Sequence, residues 1–331
     1  MQAEAKNQQF SGVLLVADKG KIQYNKAFGY RDFAKQSSLH NTDIFELASL
    51  SKQFTAMIIM MLKEKGLLNY DDAVEKYLQI PYKGITIRQL LTHTSGLPDY
   101  QEVMDQHWDK SRVAGNTDIL EYLNKYAPQK NAEPGVKYEY SNTGYVLLAS
   151  IAEKASGKDF IEMCRTWIFR PLHMDNTDIR TPAEKSRVKN FAIGHIYIAE
   201  KQRYIRADSF PSSDYTIWLG NRKGPGRISS TVEDLLKWDQ ALYTERLIKQ
   251  STLKDAFIPM TLKDGTVSNY GFGWTIKTEP GIGTIVQHSG DNPGYKTMIV
   301  RYIGSNKTII LFSNNSHKDF EQILGFIKKF I

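Results

Sequence analysis

Strand-forming sequence at both ends of the chain, with helix-forming sequence between them, most limits the fold. Near the start, Ser11–Ala17 and Ile22–Phe28 are rich in β-branched and aromatic residues and flank a turn-forming stretch, which predicts an antiparallel hairpin. Near the end, the same pattern predicts strands at Gly271–Ile276, Gly283–His288, Lys296–Tyr302 and Lys307–Ser313. One antiparallel sheet built from both chain ends accommodates all of these strands.

The middle of the chain has the apolar spacing that is typical of helices. The predicted helices are Asp71–Leu78, Thr86–Leu91, Thr117–Tyr126, Asn142–Ala155, Lys158–Phe169 and Thr231–Tyr243. The last of them follows a capping-box pattern at Ser230–Glu233, and a closing helix over Asp319–Ile331 has an apolar stripe that would pack on a sheet. The sequence therefore predicts an α/β (α+β) fold. Residues 1–70 and 265–331 form the sheet domain with flanking helices, and residues 71–264 form a large, mainly helical inserted domain.

Composition excludes several classes of protein. With 331 residues, 41% of them hydrophobic and 24% charged, the chain is globular rather than disordered or fibrous. Its longest apolar run, Ala56–Leu62, is too short to cross a bilayer, so no transmembrane segment is predicted, and residues 1–6 lack the apolar core of a secretory signal. The single cysteine, Cys164, excludes an intrachain disulfide and a cysteine-based metal site. The net charge of +7 is scattered along the chain, so nucleic-acid binding is not predicted.

One predicted helix, Ser49–Gly66, differs from the others because its apolar residues cover the whole circumference from Phe54 to Leu62. Such a helix should be buried on all sides. Gly66 is suited to end it. A buried helix between the sheet and the insertion would place its N-terminus at the junction of the two.

Ser49 and Lys52 lie at that N-terminus, one helical turn apart on one face. The spacing alone is weak evidence, because Ser186–Lys189 and Ser251–Lys254 share it. Lys52 stands out because it is a charged residue on the first turn of an otherwise apolar helix, where exposure to solvent explains it poorly. Ser49 could also serve as the N-cap of the helix, and the two interpretations are compatible.

Two further short motifs carry polar side chains. Tyr140-Ser-Asn142 precedes an apolar helical stretch, and His288-Ser-Gly290 ends a predicted strand and is followed by Asp291. Either motif alone fits a structural role.

In this order, the three motifs resemble those of the penicillin-recognising serine hydrolases. This family comprises class C β-lactamases, D-alanyl-D-alanine carboxypeptidases, D-aminopeptidases and related esterases. Ser49–Lys52 matches S-x-x-K, Tyr140–Asn142 matches Y-x-N, and His288–Gly290 stands in place of K-T-G. The resemblance covers Gln8–Phe330 and includes the flanking segments Leu90–Pro98 and Gly224–Leu236. It implies a β-lactamase/transpeptidase-like fold.

The resemblance also implies an activity. The protein would hydrolyse amide or ester bonds in D-amino-acid peptides, esters or β-lactams through an acyl-enzyme on Ser49, with no metal or cofactor. The backbone N–H groups of Ser49 and Asp291 would bind the oxyanion, and Asn142 would orient the substrate amide and Lys52. The third-motif strand, with its substrate-binding residues His288, Ser289 and Gly290, would bind substrate by strand addition.

Either Tyr140 or Lys52 could take the proton of Ser49, whose hydroxyl needs a base to become a nucleophile. An ammonium at ~4 Å supplies ~4 kcal/mol at an effective dielectric constant of ~20. This would keep the Tyr140 phenol largely ionised, unless its desolvation cancels the gain. A neutral Lys52 is the alternative base.

The third motif departs from the β-lactamase pattern, because His288 replaces the usual lysine. A histidine with a pKa of ~6.5 is largely neutral at pH 7, which favours D-amino-acid peptides and esters over β-lactams. We expect it to become charged near pH 6 and then to improve the binding of carboxylate substrates. Arg227 replaces a glycine that the family pattern predicts.

The alternative function is that of a catalytically inactive relative that binds peptidoglycan fragments or a protein partner. Otherwise the partners are small-molecule or peptide substrates, including peptidoglycan-derived ones. The resemblance implies export to the periplasm or the cell surface, with a cytoplasmic location as the alternative. The sequence leaves the oligomeric state open.

Overall fold

The structure is a computed structural model that describes residues 10–316 and 319–329. Its strands are β1 (Gly12–Asp18), β2 (Lys21–Phe28), β3 (Tyr30–Asp32), β4 (Ser37–Ser38), β5 (Phe45–Glu46), β6 (Asp178–Ile179), β7 (His195–Ile198), β8 (Arg203–Arg206), β9 (Ile228–Ser230), β10 (Met260–Thr261), β11 (Val267–Ser268), β12 (Thr275–Glu279), β13 (Gly283–Asn292), β14 (Tyr295–Tyr302) and β15 (Lys307–Ser313).

The α-helices are α1 (Ser51–Glu64), α2 (Ile87–Leu91), α3 (Tyr100–His107), α4 (Asn116–Tyr126), α5 (Asn142–Ser156), α6 (Phe160–Met163), α7 (Pro182–Lys185), α8 (Tyr215–Trp218), α9 (Val232–Ala241), α10 (Gln250–Leu253) and α11 (Phe320–Lys328). Single 3₁₀ turns lie at Ala48–Leu50, Val74–Lys76, Ala199–Lys201, Ala207–Ser209, Pro211–Ser213 and Lys254–Phe257, and a π turn lies at Cys164–Phe169.

A central antiparallel sheet joins the two ends of the chain in the order β12-β13-β14-β15-β1-β2. Strand β1 pairs with β2 through the predicted hairpin and with β15 on its other side. Lys19 and Gly20 at the tip of the hairpin have φ values of 49° and 75°, which matches the turn that favours right-twisted strands. The predicted fold class and the sheet built from both chain ends are confirmed.

The sheet has an apolar core on each face, because successive residues of β1 point to opposite sides. Val13 and Leu15 belong to the larger core with α1, and Leu14 belongs to a smaller core with α11. The predicted closing helix is confirmed over Phe320–Lys328, and Ile331 lies outside the described residues.

Helix α1 lies between the sheet and the helical part of the chain. Each residue from Ser51 to Leu62 is buried, which confirms the predicted burial on all sides. A 3₁₀ turn at Ala48–Leu50 precedes the helix, so Ser49 lies in this turn. The N-cap position is occupied by Leu50, whose side chain makes no capping bond, and Ser49 is therefore not the N-cap.

Some predicted elements differ from the structure because tertiary contacts override local preference. The predicted helix Asp71–Leu78 is only a 3₁₀ turn at Val74–Lys76, since the Val74 N–H bonds to the Ile85 carbonyl and Ala73 forms a bridge with Thr86. The helix predicted over Lys158–Phe169 changes into a π turn after α6. Cys164 in this turn is a free, buried cysteine.

Two predicted boundaries near the site also shift. The strand predicted at Gly271–Ile276 begins only at Thr275. Gly273 has a φ of +79° and a Cβ on it would lie 3.0 Å from the Gln53 Cα atom, so this glycine loop packs tightly on α1. The capping box predicted at Ser230 is displaced by one residue, because Thr231 accepts the capping bond from the Asp234 N–H at 3.2 Å.

Helix α9 packs on β1 and β15 although it lies within residues 71–264. A buried ion pair between Asp239 of this helix and Arg301 of β14 joins the helix to the sheet. The division of the chain into a sheet domain and an insertion stays a prediction. Among the helices of residues 10–316 and 319–329, none has the length and apolar character that crossing a membrane requires.

Candidate active site

The turn that carries Ser49 packs against β13, which holds the third motif, and against its neighbour β14. From β14, Thr297 Oγ1 donates to the Leu47 carbonyl, just before this turn, at 2.9 Å. A Cβ on Gly290 would lie 2.2 Å from Thr297 Oγ1 and 2.3 Å from the Leu47 oxygen, so only glycine permits this approach. Ala48 has a φ of +50°, an uncommon conformation for a non-glycine residue. Ser49 is partly exposed while the residues on either side of it are buried.

Lys52 is fully buried and makes three hydrogen bonds. Its Nζ lies 3.0 Å from Ser49 Oγ and 2.9 Å from Asn142 Oδ1, and it lies 3.0 Å from the Pro225 carbonyl oxygen. The structure therefore brings Ser49, Lys52 and Asn142 together. Asn142 reaches this position because it is the first residue of α5.

A neutral amine satisfies these contacts as well as an ammonium does. The side-chain oxygen of Asn142 and the carbonyl of Pro225 can only accept, so they take the two N–H bonds of a neutral Lys52. The lone pair of Nζ then faces the Ser49 hydroxyl, which can donate to it. This is the arrangement that a general base needs.

Electrostatics favours the neutral form of Lys52. Burial holds the pKa of Lys52 well below its usual range, and the positive charge of Arg222 lowers it further, against the opposing effect of Asp99. The faces of the Tyr140 and Tyr145 rings lie 4.7 and 5.5 Å from Nζ. Such contacts favour an ammonium, but desolvation is the larger effect here.

Tyr140 lies beside the lysine and stays protonated. Burial raises the pKa of its phenol above the usual value of ~10, and a hydrogen bond with Ser49 offsets only part of this rise. Although 41% of the residue as a whole is exposed, its hydroxyl group lies in a desolvated position. The structure therefore favours the second of the two base assignments, in which Lys52 rather than a Tyr140 phenolate takes the proton.

His288 is buried and bonded on both ring nitrogens. Its Nδ1 lies 2.6 Å from the Ser289 carbonyl oxygen, which can only accept, so Nδ1 carries the proton. The Tyr270 hydroxyl, 2.8 Å away, then donates to Nε2. Burial is the main cause that lowers the pKa of His288 to about 3. The expectation that His288 becomes charged near pH 6 is therefore wrong.

The third motif lies within β13 rather than at its end, because this strand continues to Asn292. Strand β12 pairs with β13 only as far as Gln287, so the ladder on this side stops just before His288. Ser289 and Asp291 are exposed on this stretch, and the Asp291 side chain lies 3.9 Å from Lys296. The roles of Ser289 and Asp291 in substrate and oxyanion binding stay predictions.

The sequence interpretation missed His93, which positions Tyr140. The His93 carbonyl accepts from the Glu139 N–H at 2.8 Å, and its Nδ1 accepts from the Ser141 N–H at 3.0 Å. The ring also packs on that of Tyr140, with 4.3 Å between centroids. His93 thus holds the backbone on both sides of Tyr140. The available signal was a histidine within Leu90–Pro98, a segment that already resembled the family.

Comparison with known proteins identifies the family. A family model described as "Beta-lactamase" matches residues 1–328. The chain belongs to the beta-lactamase family. Penicillin-binding protein 4* of Bacillus subtilis is 41% identical over 319 residues, which are 96% of this chain and 71% of that protein.

Two solved structures show the same fold. A penicillin-binding protein from Bacillus halodurans matches with a TM-score of 0.85 and 25% identity over 99% of this chain and 98% of that one. The D-amino acid amidase from Ochrobactrum anthropi SV3, complexed with D-phenylalanine, matches with a TM-score of 0.73 and 24% identity. This match covers 95% of this chain and 89% of the amidase. The family and the fold predicted from the three motifs are thus confirmed.

Proposed function

We propose that the protein is a serine hydrolase that cleaves amide or ester bonds through an acyl-enzyme on Ser49. The observation that carries this proposal is the buried Lys52 amine, which lies 3.0 Å from Ser49 Oγ with its other contacts made to acceptors. A lysine in this state can take the proton of Ser49 near neutral pH. Membership of the beta-lactamase family supports the same reaction class.

In the proposed first step, the Ser49 proton passes to Lys52 Nζ while Ser49 Oγ attacks the carbonyl carbon of the substrate. The carbonyl oxygen gains the negative charge and accepts from the backbone N–H groups of Ser49 and Asp291. The carbonyl then re-forms as the bond to the leaving group breaks. The protonated Tyr140 donates its proton to the leaving group, and Lys52 returns a proton to the phenol. Water cleaves the resulting ester by the reverse sequence of proton transfers.

For the substrate, we propose D-amino-acid peptides or esters first and β-lactams second. A neutral, buried His288 supplies no positive charge to a substrate carboxylate at the third motif, whereas a lysine there would. A relative named as a penicillin-binding protein makes penicillin a suitable covalent probe.

Intact-protein mass spectrometry tests the proposal. The protein is exposed in turn to a fluorophosphonate, a penicillin and an activated D-alanine ester. We expect a single adduct that maps to Ser49 and disappears in Ser49→Ala. Ser186→Ala and Ser251→Ala are matched controls with the same S-x-x-K spacing, and both residues are exposed.

The same experiment addresses the alternative of an inactive relative. If none of the three reagents modifies Ser49 in folded protein, the acyl-enzyme proposal is wrong and the family fold serves binding instead. Loss of the adduct in either control variant would assign the nucleophile elsewhere.

A further inference from the structure

A cavity is lined by residues on both sides of Pro225, whose carbonyl accepts a hydrogen bond from Lys52. It has a volume of about 330 Å³ and is lined by four arginines. Arg165 is paired with Asp178, and the other three come from separate stretches of the chain. Arg180 follows β6, Arg222 follows α8, and Arg227 precedes β9. Arg222 and Arg227 are 9% and 4% exposed, so both are buried charged residues.

These three arginines lack the carboxylate partners that buried charges normally have. Arg222 Nη1 lies 2.5 Å from the neutral Tyr100 hydroxyl, Arg227 Nη2 donates to the Arg180 carbonyl, and Arg180 Nη1 donates to Ser229 Oγ at 2.6 Å. The ion pairs found among residues 10–316 and 319–329 include none to these three side chains. In the same part of the chain, Arg222 Nε is buried and has no hydrogen-bond partner.

The carboxylates that also line the cavity are engaged elsewhere. Glu184 Oε2 accepts from the Thr181 N–H and hydroxyl at 2.7 and 2.8 Å. Asp159 pairs with Lys223 at 3.0 Å. The three arginines therefore have no carboxylate partner within the cavity, and Glu46, which pairs with Lys185, offsets the charge of Arg222 and Arg227 only from a greater distance.

Two buried guanidinium groups without a carboxylate at contact distance indicate a missing anion. Burial lowers the pKa of Arg227 to about 10, with Glu46 opposing this effect and Arg222 adding to it, whereas the pKa of Arg222 is raised, so both groups remain charged at neutral pH. Guanidinium groups match the oxygen pairs of carboxylates and phosphates better than any other side chain does.

The cavity is linked to the catalytic residues through one short segment. Pro225 gives its carbonyl to Lys52, and two residues later Arg227 turns into the cavity with a φ of +81°. This conformation explains why the family pattern predicts a glycine at this position. Gly226 lies between Arg222 and the turn that carries Ser49, since a Cβ there would be at ordinary contact distance from both, 3.6 Å from Arg222 Nη2 and 3.8 Å from the Ala48 oxygen.

We infer that this cavity is an anion-binding site, in which Arg222 and Arg227 bind a carboxylate or phosphate group close to the turn that carries Ser49. The group belongs either to the substrate or to a separate small anion. The inference goes beyond hydrolysis and can be tested without it.

Isothermal titration calorimetry with sodium phosphate at low ionic strength and pH 7.5 tests the site. We expect one binding site in the wild type and at least a tenfold loss of affinity in Arg222→Gln and in Arg227→Gln. Arg187→Gln, at an exposed arginine outside the cavity, should bind phosphate like the wild type. If a glutamine variant does not fold, the corresponding lysine variant, Arg222→Lys or Arg227→Lys, takes its place. It keeps the positive charge, and its affinity for phosphate is compared with that of the wild type.

Absence of binding in the wild type overturns the inference, as does undiminished affinity in the variants at both positions. Kinetics then distinguishes the two sources of the anion. If the substrate supplies it, phosphate raises KM for a carboxylate-bearing ester at least tenfold and leaves a matched neutral ester unaffected. If a separate anion binds, phosphate changes both substrates alike. A protein without hydrolytic activity would contradict the proposed function but leave the calorimetric result valid.

Discussion

Replacing Tyr140 by phenylalanine separates the two chemical roles that Tyr140 and Lys52 could have. The raised pKa of Tyr140 means that its phenol can donate a proton at pH 7.5 but cannot accept one. In the proposed mechanism the lysine is the base, which the lowered pKa of Lys52 and its 3.0 Å contact with Ser49 Oγ support. Tyr140→Phe should therefore impair departure of the leaving group and spare activation of the serine.

The expected size of the effect depends on the leaving group. Departure of an anilide needs a proton, and a positioned acid contributes typically ~10²–10⁴-fold, which corresponds to ~3–5 kcal/mol. A p-nitrophenolate leaves as a stable anion and needs no proton. For one D-alanyl acyl group, Tyr140→Phe should thus lower kcat/KM for the anilide by about two to four orders of magnitude and for the p-nitrophenyl ester by less than about tenfold.

The assay compares kcat/KM for both substrates in the wild type, Tyr140→Phe and Tyr138→Phe. This constant reports every step up to formation of the acyl-enzyme, so slow deacylation does not mask the result. Tyr138 is a matched control because it is equally exposed, at 41%, and lies two positions from Tyr140. Equal losses for ester and anilide in Tyr140→Phe would refute this reasoning and restore the phenolate as the base.

The remaining predictions concern the supports of the site. Gly290→Ala should displace the turn that carries Ser49 and lower kcat/KM at least a hundredfold, because the new Cβ would lie 2.2–2.3 Å from two oxygens. The control is Gly304→Ala, which should retain activity because the nearest atom to its Cβ would be 3.9 Å away. Arg301→Met should lower the free energy of unfolding by about 3–5 kcal/mol in urea titrations, because it leaves Asp239 buried without its partner; a loss below about 1 kcal/mol would contradict the importance of this pair. The pKa of His288 lies near 3, so the kcat/KM ratio of carboxylate to neutral substrates should not change through this residue between pH 7.5 and 6. Below about pH 6.5, His288 binds a proton in the unfolded protein but not in the folded protein. The free energy of unfolding should therefore fall by up to ~1.4 kcal/mol for each unit by which the pH is lowered, and His288→Asn should reduce this slope.

The contact between Ser49 and Lys52, the proposed catalytic pair, could be predicted because a charged residue is unexpected at this position of the sequence. A lysine in the first turn of a helix that is apolar all round needs a specific reason, and the structure supplies it in the contacts of Lys52 with Ser49 and Asn142. The strands at the chain ends were predictable because an apolar core covers each face of the sheet, so that strands such as β1 are continuous runs of apolar residues.

Other parts of the site depend on contacts that have no local sequence signature. The Pro225 acceptor is a backbone carbonyl, which every residue possesses. The partner of His288 is Tyr270, from a different segment of the chain, so the charge state of the histidine could not be inferred from its neighbours in sequence. The ionisation of Tyr140 depends on how far burial outweighs nearby charge, and only the packed structure decides this.

The pairing of β1 with β15 has a consequence for how the protein is made. Gly12 pairs with Ser313, a partner about three hundred residues away, and contacts this distant in sequence are typical of slow folding. During synthesis, the residues that form α1 and α5 emerge well before β13, β14 and β15. Ser49, Lys52 and Asn142 can therefore come into contact early. Strand β14, which bonds to the residue before the Ser49 turn, is among the last parts of the chain to be made. A chain that stops short of β14 would lack Thr297 and leave β1 with an unpaired edge, which is a hazard for aggregation.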